Sequence, residues 1–284
     1  MTASSDTGPL REVRGPSALG GGLRRFSDLL WLISVTEFKR VYFGTVLGYI
    51  WSLVRPLMLF GVLLFVFTQI FKIGSDIAEF YPVLLLVGIV LFTYFSEATQ
   101  SSVTSVVTQE GVVRKTQFPR LVIPLSTALT GAFNLGLNLI VVLVFVLAYG
   151  VEPSWSWLLV PFALLALLVF TAAASMALSV LYVRFRDVAI IWTVVSQVLF
   201  YATPVLYPIE ALGDETLEHV LMVNPLAPIF EQVRVWLLEP GAPTAAEAAG
   251  GAAGLIPAAV IYVGVCVFAV WIFNREAPRI AEEL

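Results

Sequence analysis

Six stretches of the chain are long and apolar enough to cross a bilayer: about residues 47–72, 81–100, 121–149, 155–183, 188–207 and 255–274. A helix needs roughly 20 mostly apolar residues to cross a hydrocarbon core of about 30 Å. Within that core every backbone N–H and C=O must find its partner inside the protein. The expected fold is therefore an all-α integral membrane protein with six transmembrane helices. The first stretch is the tightest, because Arg55 and Lys72 bracket a short charge-free run. It is expected to begin near Leu47, with Arg55 snorkelling toward the headgroups. Composition agrees. Of the 284 residues 59% are hydrophobic and 13% charged, whereas soluble domains carry about 25% charged residues. So few charges cannot coat a water-exposed surface. An ordinary soluble enzyme, a disordered chain and a nucleic-acid binder are all excluded.

Lysine and arginine set the orientation. Seven lie on the side where the first span begins, from Arg11 to the snorkelling Arg55. Arg114, Lys115 and Arg120 lie between spans two and three, Arg184 and Arg186 between four and five, and Arg275 and Arg279 after six. The opposite side holds only Lys72 and Arg234. This alternation predicts that both termini are cytoplasmic. Residues 1–25 read as a disordered tail and 275–284 as a second, shorter one, and no cleavable signal peptide is expected. The preference for Arg over Lys, with abundant Ala, Gly and Val, points to a GC-rich bacterial genome, and a multi-pass chain of that source is expected in the plasma (inner) membrane.

The chain carries one cysteine, Cys266, and one histidine, His219, which leaves no metal site and no catalytic group to propose. Glu97 is the one clear ionisable residue inside a span; it reads either as a conduit group or as a carboxylate paired with a nearby base. An ion-coupled transporter would need several such groups, and no two related halves are visible. No G-x-x-x-x-G-K-[ST] phosphate loop is present. If this protein transports actively, an ATP-hydrolysing partner on the cytoplasmic side must supply the energy.

The connections carry further signals. Residues 26–46 read as an interfacial helix that bends into the membrane, with Gly44 and Gly48 four apart for close backbone approach. Gly111 should break the incoming helix and Pro119 disfavours helix at Phe118. Between them lies either a short helix carrying Arg114 and Lys115 or a plain basic loop. Asp187 is expected to neutralise an arginine or cap the helix after it. On the outer side, Thr203-Pro204 should end or kink the fifth span. The acidic segment 208–254 should form two short helices, 216–223 and 226–238, split by Asn224-Pro225 and dipping into the outer leaflet. Residues 241–254 are Ala/Gly-rich and read as flexible. Asp76 and Glu79 read as a solvated loop.

Several segments resemble the permease subunits of ABC-2-type exporters, in the polysaccharide and polyol phosphate branch that exports O-antigen, teichoic acid or cell-wall galactan. The matching pieces are Lys39 to Trp51 with Arg55-Pro56, Arg114 to Arg120 with Pro124, Arg184 to Val188, Thr203 to Pro208, and Asn224-Pro225-Leu226. They cover residues 26–274 in order. Arg55 departs from the pattern, where an uncharged polar residue is more usual, and so does the long Gly/Ala stretch before the last span.

The resemblance implies a coupling helix built from Glu110, Gly111, Val112, Val113, Arg114, Lys115, Phe118 and Pro119, docked on a separate nucleotide-binding ATPase subunit. It implies two permeases and two ATPases, with ATP and Mg held by the ATPases and no cofactor in this chain. The substrate would be a lipid-linked polysaccharide. The two outer helices would gate the exit, with Thr203, Pro204, Asn224 and Pro225 at the outer gate. Aromatic faces can stack on sugar rings, which makes Tyr42, Phe43, Tyr49, Tyr94, Phe95, Trp192, Phe200 and Tyr201 conduit candidates; contact with lipid is the alternative for each. An exporter of a drug or small lipid is the competing function. A membrane-embedded enzyme would need a polar catalytic cluster, which the sequence lacks.

Overall fold

The computed structural model describes residues 22–43, 48–70, 80–109, 111 and 119–276. Helices α1 (Leu23–Phe43), α2 (Gly48–Phe65), α3 (Tyr81–Thr108), α4 (Val122–Ala148), α5 (Val160–Arg184) and α6 (Val188–Ala202) come first. The short α7 (Glu215–Leu221), α8 (Leu226–Leu237) and α9 (Ala245–Ala248) follow, and α10 (Ile256–Glu276) ends the bundle. A π-helical turn, Val66–Ile70, extends α2, and 3-10 turns lead into α5 and α10. The described residues contain no strand.

Among the described residues five helices are long and apolar enough to span a membrane: 50–70, 81–108, 122–148, 155–184 and 252–276. The sixth expected span is shorter. Helix α6 has 15 residues, about 22 Å at 1.5 Å per residue, because Pro204 pushes Thr203 out of helical geometry, to φ −107°, ψ 142°. The apolar residues that follow are not exposed. Val205 is fully buried and Leu206 nearly so, so the chain continues over the bundle as non-helical backbone as far as a 3-10 turn, Ile209–Leu212, whose Ile209 is fully buried.

Helix α3 is the hub. Nineteen of its 28 residues are buried, against five of the 21 in the last helix. It packs on α4, α5, α2, α6 and α8. It tolerates this because it is apolar around most of its circumference. Two glycines set its close approaches. A Cβ at Gly88 would sit 2.8 Å from the Val205 carbonyl oxygen, and one at Gly131 of α4 would sit 3.2 Å from the Tyr94 ring. Rings of three helices stack through the centre: Phe170 of α5 lies 5.9 Å from Phe95 and 5.2 Å from Tyr262 of α10.

Helix α1 lies against α4. Ser34 is fully buried there; its hydroxyl donates to Leu30 O at 2.7 Å and to Ser126 O at 3.3 Å. Trp31 and Phe38 both meet the edge of Phe133.

The Ala/Gly-rich segment 241–254 is not the flexible loop its composition suggests. Thr244 and Glu247 form a capping box at the start of α9, which satisfies two orphan backbone donors. Ala248 and Ala249 then bury against Ile209, Met222 and Ala227. Small side chains pack as well as large ones when the surfaces they face are close.

Candidate functional site

One face of α3 is polar. Thr93, Glu97, Gln100, Ser101, Thr104 and Thr108 fall within a narrow arc at 100° per residue. Toward the middle of the bundle α2 covers this face, and Arg55 Nη1 donates to Glu97 Oε1 at 2.8 Å. The Arg55 side chain remains 78% exposed. Pairing was one of the two readings of Glu97. Toward residues 109–119 nothing described covers the arc, and Ser101, Thr104 and Thr108 are exposed. Beside them lies a cavity of about 330 Å³ lined by Glu37, Glu97, Ser101, Thr127, Thr130 and Asn134. Glu97 and Asn134 also line a smaller cavity with Ser52 and Asn138.

The contact of α3 with α6 continues the polar character. Ser96 and Ser196 hydroxyls are 2.9 Å apart, Gln100 Nε2 donates to Thr193 Oγ1 at 3.1 Å, and Trp192 Nε1 donates to Thr99 Oγ1 at 3.0 Å. Apart from the Arg55–Glu97 pair, the strip is made of hydroxyls and carboxamides. Such groups suit an uncharged, hydroxyl-rich solute better than an ion.

The aromatic conduit candidates separate by position. Tyr94 and Phe95 are buried in the core, Tyr94 against Gly131 and Phe95 in the three-ring stack. Phe200 packs edge-on against Phe92 at 5.1 Å. Trp192 is held by its bond to Thr99. Tyr201 is 59% exposed. Tyr42, Phe43 and Tyr49 have helical backbone, and their side chains lie outside the described residues. Of the coupling-helix candidates, Glu110, Val112, Val113, Arg114, Lys115 and Phe118 lie outside the described residues. Gly111 is exposed, and Pro119 is buried at the start of α4, where its carbonyl accepts from Val122 N at 2.9 Å.

The outer-gate candidates come together. Asn224 Nδ2 donates to Thr203 Oγ1 at 2.8 Å and to Ala202 O at 3.2 Å, while its Oδ1 accepts from Leu226 N at 3.1 Å. One side chain thus satisfies backbone freed by the break at Pro204 and starts α8 beside Pro225. Tyr81 completes the repair by donating to Leu206 O at 2.9 Å. Asn224→Ala should destabilise the protein by about 2 kcal/mol, since it strands partly buried polar groups. A thermal melt in detergent reads this directly, and an unchanged midpoint would contradict it.

Sequence reasoning missed a second polar centre. Arg234 of α8, with a side chain 6% exposed, is wrapped by three carboxylates. It pairs with Glu210 at 2.5 and 2.7 Å and with Glu231 at 3.0 Å; its Nε reaches Glu239 at 3.0 Å, and its Nη2 also contacts Glu239. Burial pushes the Glu231 carboxyl up to about 7, opposed by Arg234 and reinforced by Glu210 and Glu239. Burial also lifts Glu210, but its hydrogen bonds from Arg234 and backbone outweigh that and hold it below the usual range. Burial alone would lower Arg234; the carboxylates around it instead hold its proton more tightly than usual. Among the described residues Asp187 makes neither of its expected contacts: it has no ion pair and its side chain does not cap α6.

Among the described residues no group of three or more His, Cys, Asp or Glu side chains could hold a metal ion.

The sequence is similar to two proteins described as O-antigen export system permease protein RfbA. The one from Klebsiella pneumoniae is 30% identical over 201 residues, covering 70% of this chain and 76% of the relative. The one from Myxococcus xanthus is 30% identical over 224 residues, covering 78% and 85%. Residues 28–238, from α1 through α8, match the model of the family described as ABC-2 type transporter. The polar strip, the break at Pro204 and the outer helices α7 and α8 fall inside that match, and the chain belongs to the ABC-2 type transporter family.

Proposed function

We propose that this protein is the membrane permease of an ATP-driven exporter that moves a lipid-linked polysaccharide of the O-antigen type out of the cytoplasm. The observation that carries the reading is the strip of uncharged hydroxyls and carboxamides on α3 and α6, set among otherwise apolar helices. Neutral sugar units present many hydroxyls and no fixed charge, so they need hydrogen-bonding partners that can exchange, rather than ion-pairing groups. The two relatives, described as O-antigen export permeases, support the same reading.

Two copies related by a twofold axis would enclose the passage, with the exposed faces of α2 and α6 toward the axis. Helix α6 and the buried segment after it together make the sixth crossing, and both termini lie in the cytoplasm of a bacterium bounded by its inner membrane. Helix α1 rests at the cytoplasmic interface. The segment 110–119 docks on an ATPase subunit, one per permease, and those subunits bind ATP and Mg. Thr203, Pro204, Asn224 and Pro225 hinge the outer helices over the exit. Of the aromatic candidates, Tyr201 has the free face that stacking on a sugar requires, and Trp192 borders the strip.

Proteoliposomes holding the permease with its ATPase should take up lipid-linked glycan in an ATP-dependent way, and the permease alone should not. Glycan movement by the permease alone, against a gradient, would end this reading. A preference for small amphiphiles over glycan would redirect it to a drug or lipid cargo.

A further inference from the structure

Helices α5 and α10 finish side by side at the end of the bundle where α4 begins, around a cluster that joins Val183, Ile272 and Phe273 to Ile123. Between the two helix ends lies a groove of about 190 Å³. Its floor is apolar, with Val180, Val183 and Ile272, and Trp271 forms a wall. Its rim carries Arg184 and Arg275. The positive charges stand over aromatic rings: Arg184 is 5.6 Å from the Phe185 centroid and Arg275 5.3 Å from that of Trp271. Just beyond, Arg186 lies 5.0 Å from the Tyr182 ring. Among the described residues no carboxylate pairs with Arg184 or Arg186. Arg275 contacts Glu276 at 3.5 Å while its side chain stays 58% exposed.

We propose that this groove binds an anionic phospholipid of the surrounding bilayer. Two matches support the assignment. The arginines sit in the last turns of two membrane helices, where headgroups lie, and a guanidinium fork fits phosphate oxygens. Below them the groove turns apolar toward the bilayer interior, where an acyl chain runs, and Trp271 sits at the boundary its indole prefers. A free phosphate would use the rim and leave the apolar floor empty. The Glu276 carboxylate faces the same groove and weakens the field of Arg275, so Arg184 should contribute more. This site is separate from the α3–α6 strip, and its binding can be measured without transport.

The test is lipid retention by the intact protein in mild detergent, read by native mass spectrometry with phosphatidylglycerol, phosphatidylcholine and inorganic phosphate as the three probes. The wild-type protein should prefer phosphatidylglycerol to phosphatidylcholine. Arg184→Gln with Arg275→Gln should reduce that preference about twenty-fivefold, at about fivefold per arginine near a lipid surface. Arg40→Gln, an exposed arginine on α1, should leave it unchanged. Equal retention of both lipids by the wild type would overturn the proposal, as would an unaltered preference in the double variant. Displacement of phosphatidylglycerol by equimolar inorganic phosphate would overturn the lipid assignment too. The first comparison needs no substitution, so a variant that fails to fold does not protect the idea.

Discussion

Replacing Arg234 with alanine should lower the unfolding free energy by about 3–5 kcal/mol at pH 8, the usual effect of removing one partner from a buried ion pair. Three carboxylates would then share a site with no counter-charge, and Glu231 is 1% exposed. The loss spreads beyond α8, because Arg234 ties that helix to Glu210 before α7 and to Glu239 after α8. The penalty should shrink at pH 5, where the stranded carboxyls can take up protons. The wild type has its own pH dependence. Glu231 is raised to about 7 in the fold, so its contribution is full below its unfolded value near 4.5 and fades as pH rises through 7. Glu210 is lowered; its contribution is present above 4.5 and fades as pH falls below that. The cluster should therefore be most stabilising near pH 5. Glu231→Gln should flatten the slope between pH 5 and 8 by roughly 1–3 kcal/mol. Thermal melts across that range, run on wild type, Arg234→Ala and Glu231→Gln, separate these effects. Parallel pH profiles for all three would contradict the arrangement.

The membrane helices were readable because a bilayer imposes a length and a polarity on whatever crosses it. The spans at about 81–100, 121–149, 155–183 and 255–274 follow from hydropathy alone, although the helix carrying the first of them runs on to Thr108. Hydropathy does not separate a helix from buried irregular chain, so the apolar stretch 188–207 outruns α6, which ends at Ala202. Val205 and Leu206 are apolar because they lie under the outer layer, with their backbone served by Tyr81. The Arg234 cluster was invisible for a related reason. Glu210, Glu231 and Glu239 count as solvated acids in any charge tally, and only the fold of the outer segment brings them onto one guanidinium. The spacing of Glu231 and Arg234, three apart on an apolar helix, was the available signal.

The strip on α3 was also legible, to a search that asked a different question. Attention to ionisable groups isolates Glu97 and passes over Gln100, Asn134, Asn138 and Thr193, which cost less to bury and leave no mark on a charge count. The aromatic residues drew notice by their size. On a helix apolar all round, periodicity cannot say which ring faces a passage, so Tyr94 and Phe95 looked equivalent to Tyr201 until neighbouring helices were placed.

The strip predicts a loss of transport without a loss of structure. Ser101→Leu with Thr104→Leu should reduce glycan export at least tenfold, while the thermal midpoint and the association with the ATPase stay near wild type. Both side chains are exposed, and surface changes away from special features usually alter stability by about 0.5 kcal/mol or less. The effect on transport is larger, because a hydroxyl-rich solute loses exchangeable partners along a path where leucine offers none, and each uncompensated polar group costs about 1–3 kcal/mol. Ser101→Asn with Thr104→Gln should retain most export, since it keeps hydrogen-bonding capacity while adding bulk. That contrast distinguishes lost polarity from steric blockage. If the carboxamide variant fails as completely as the leucine variant, the strip is a narrow passage wall rather than a polar track. If neither variant changes export, the polysaccharide takes a route that does not touch α3 and α6.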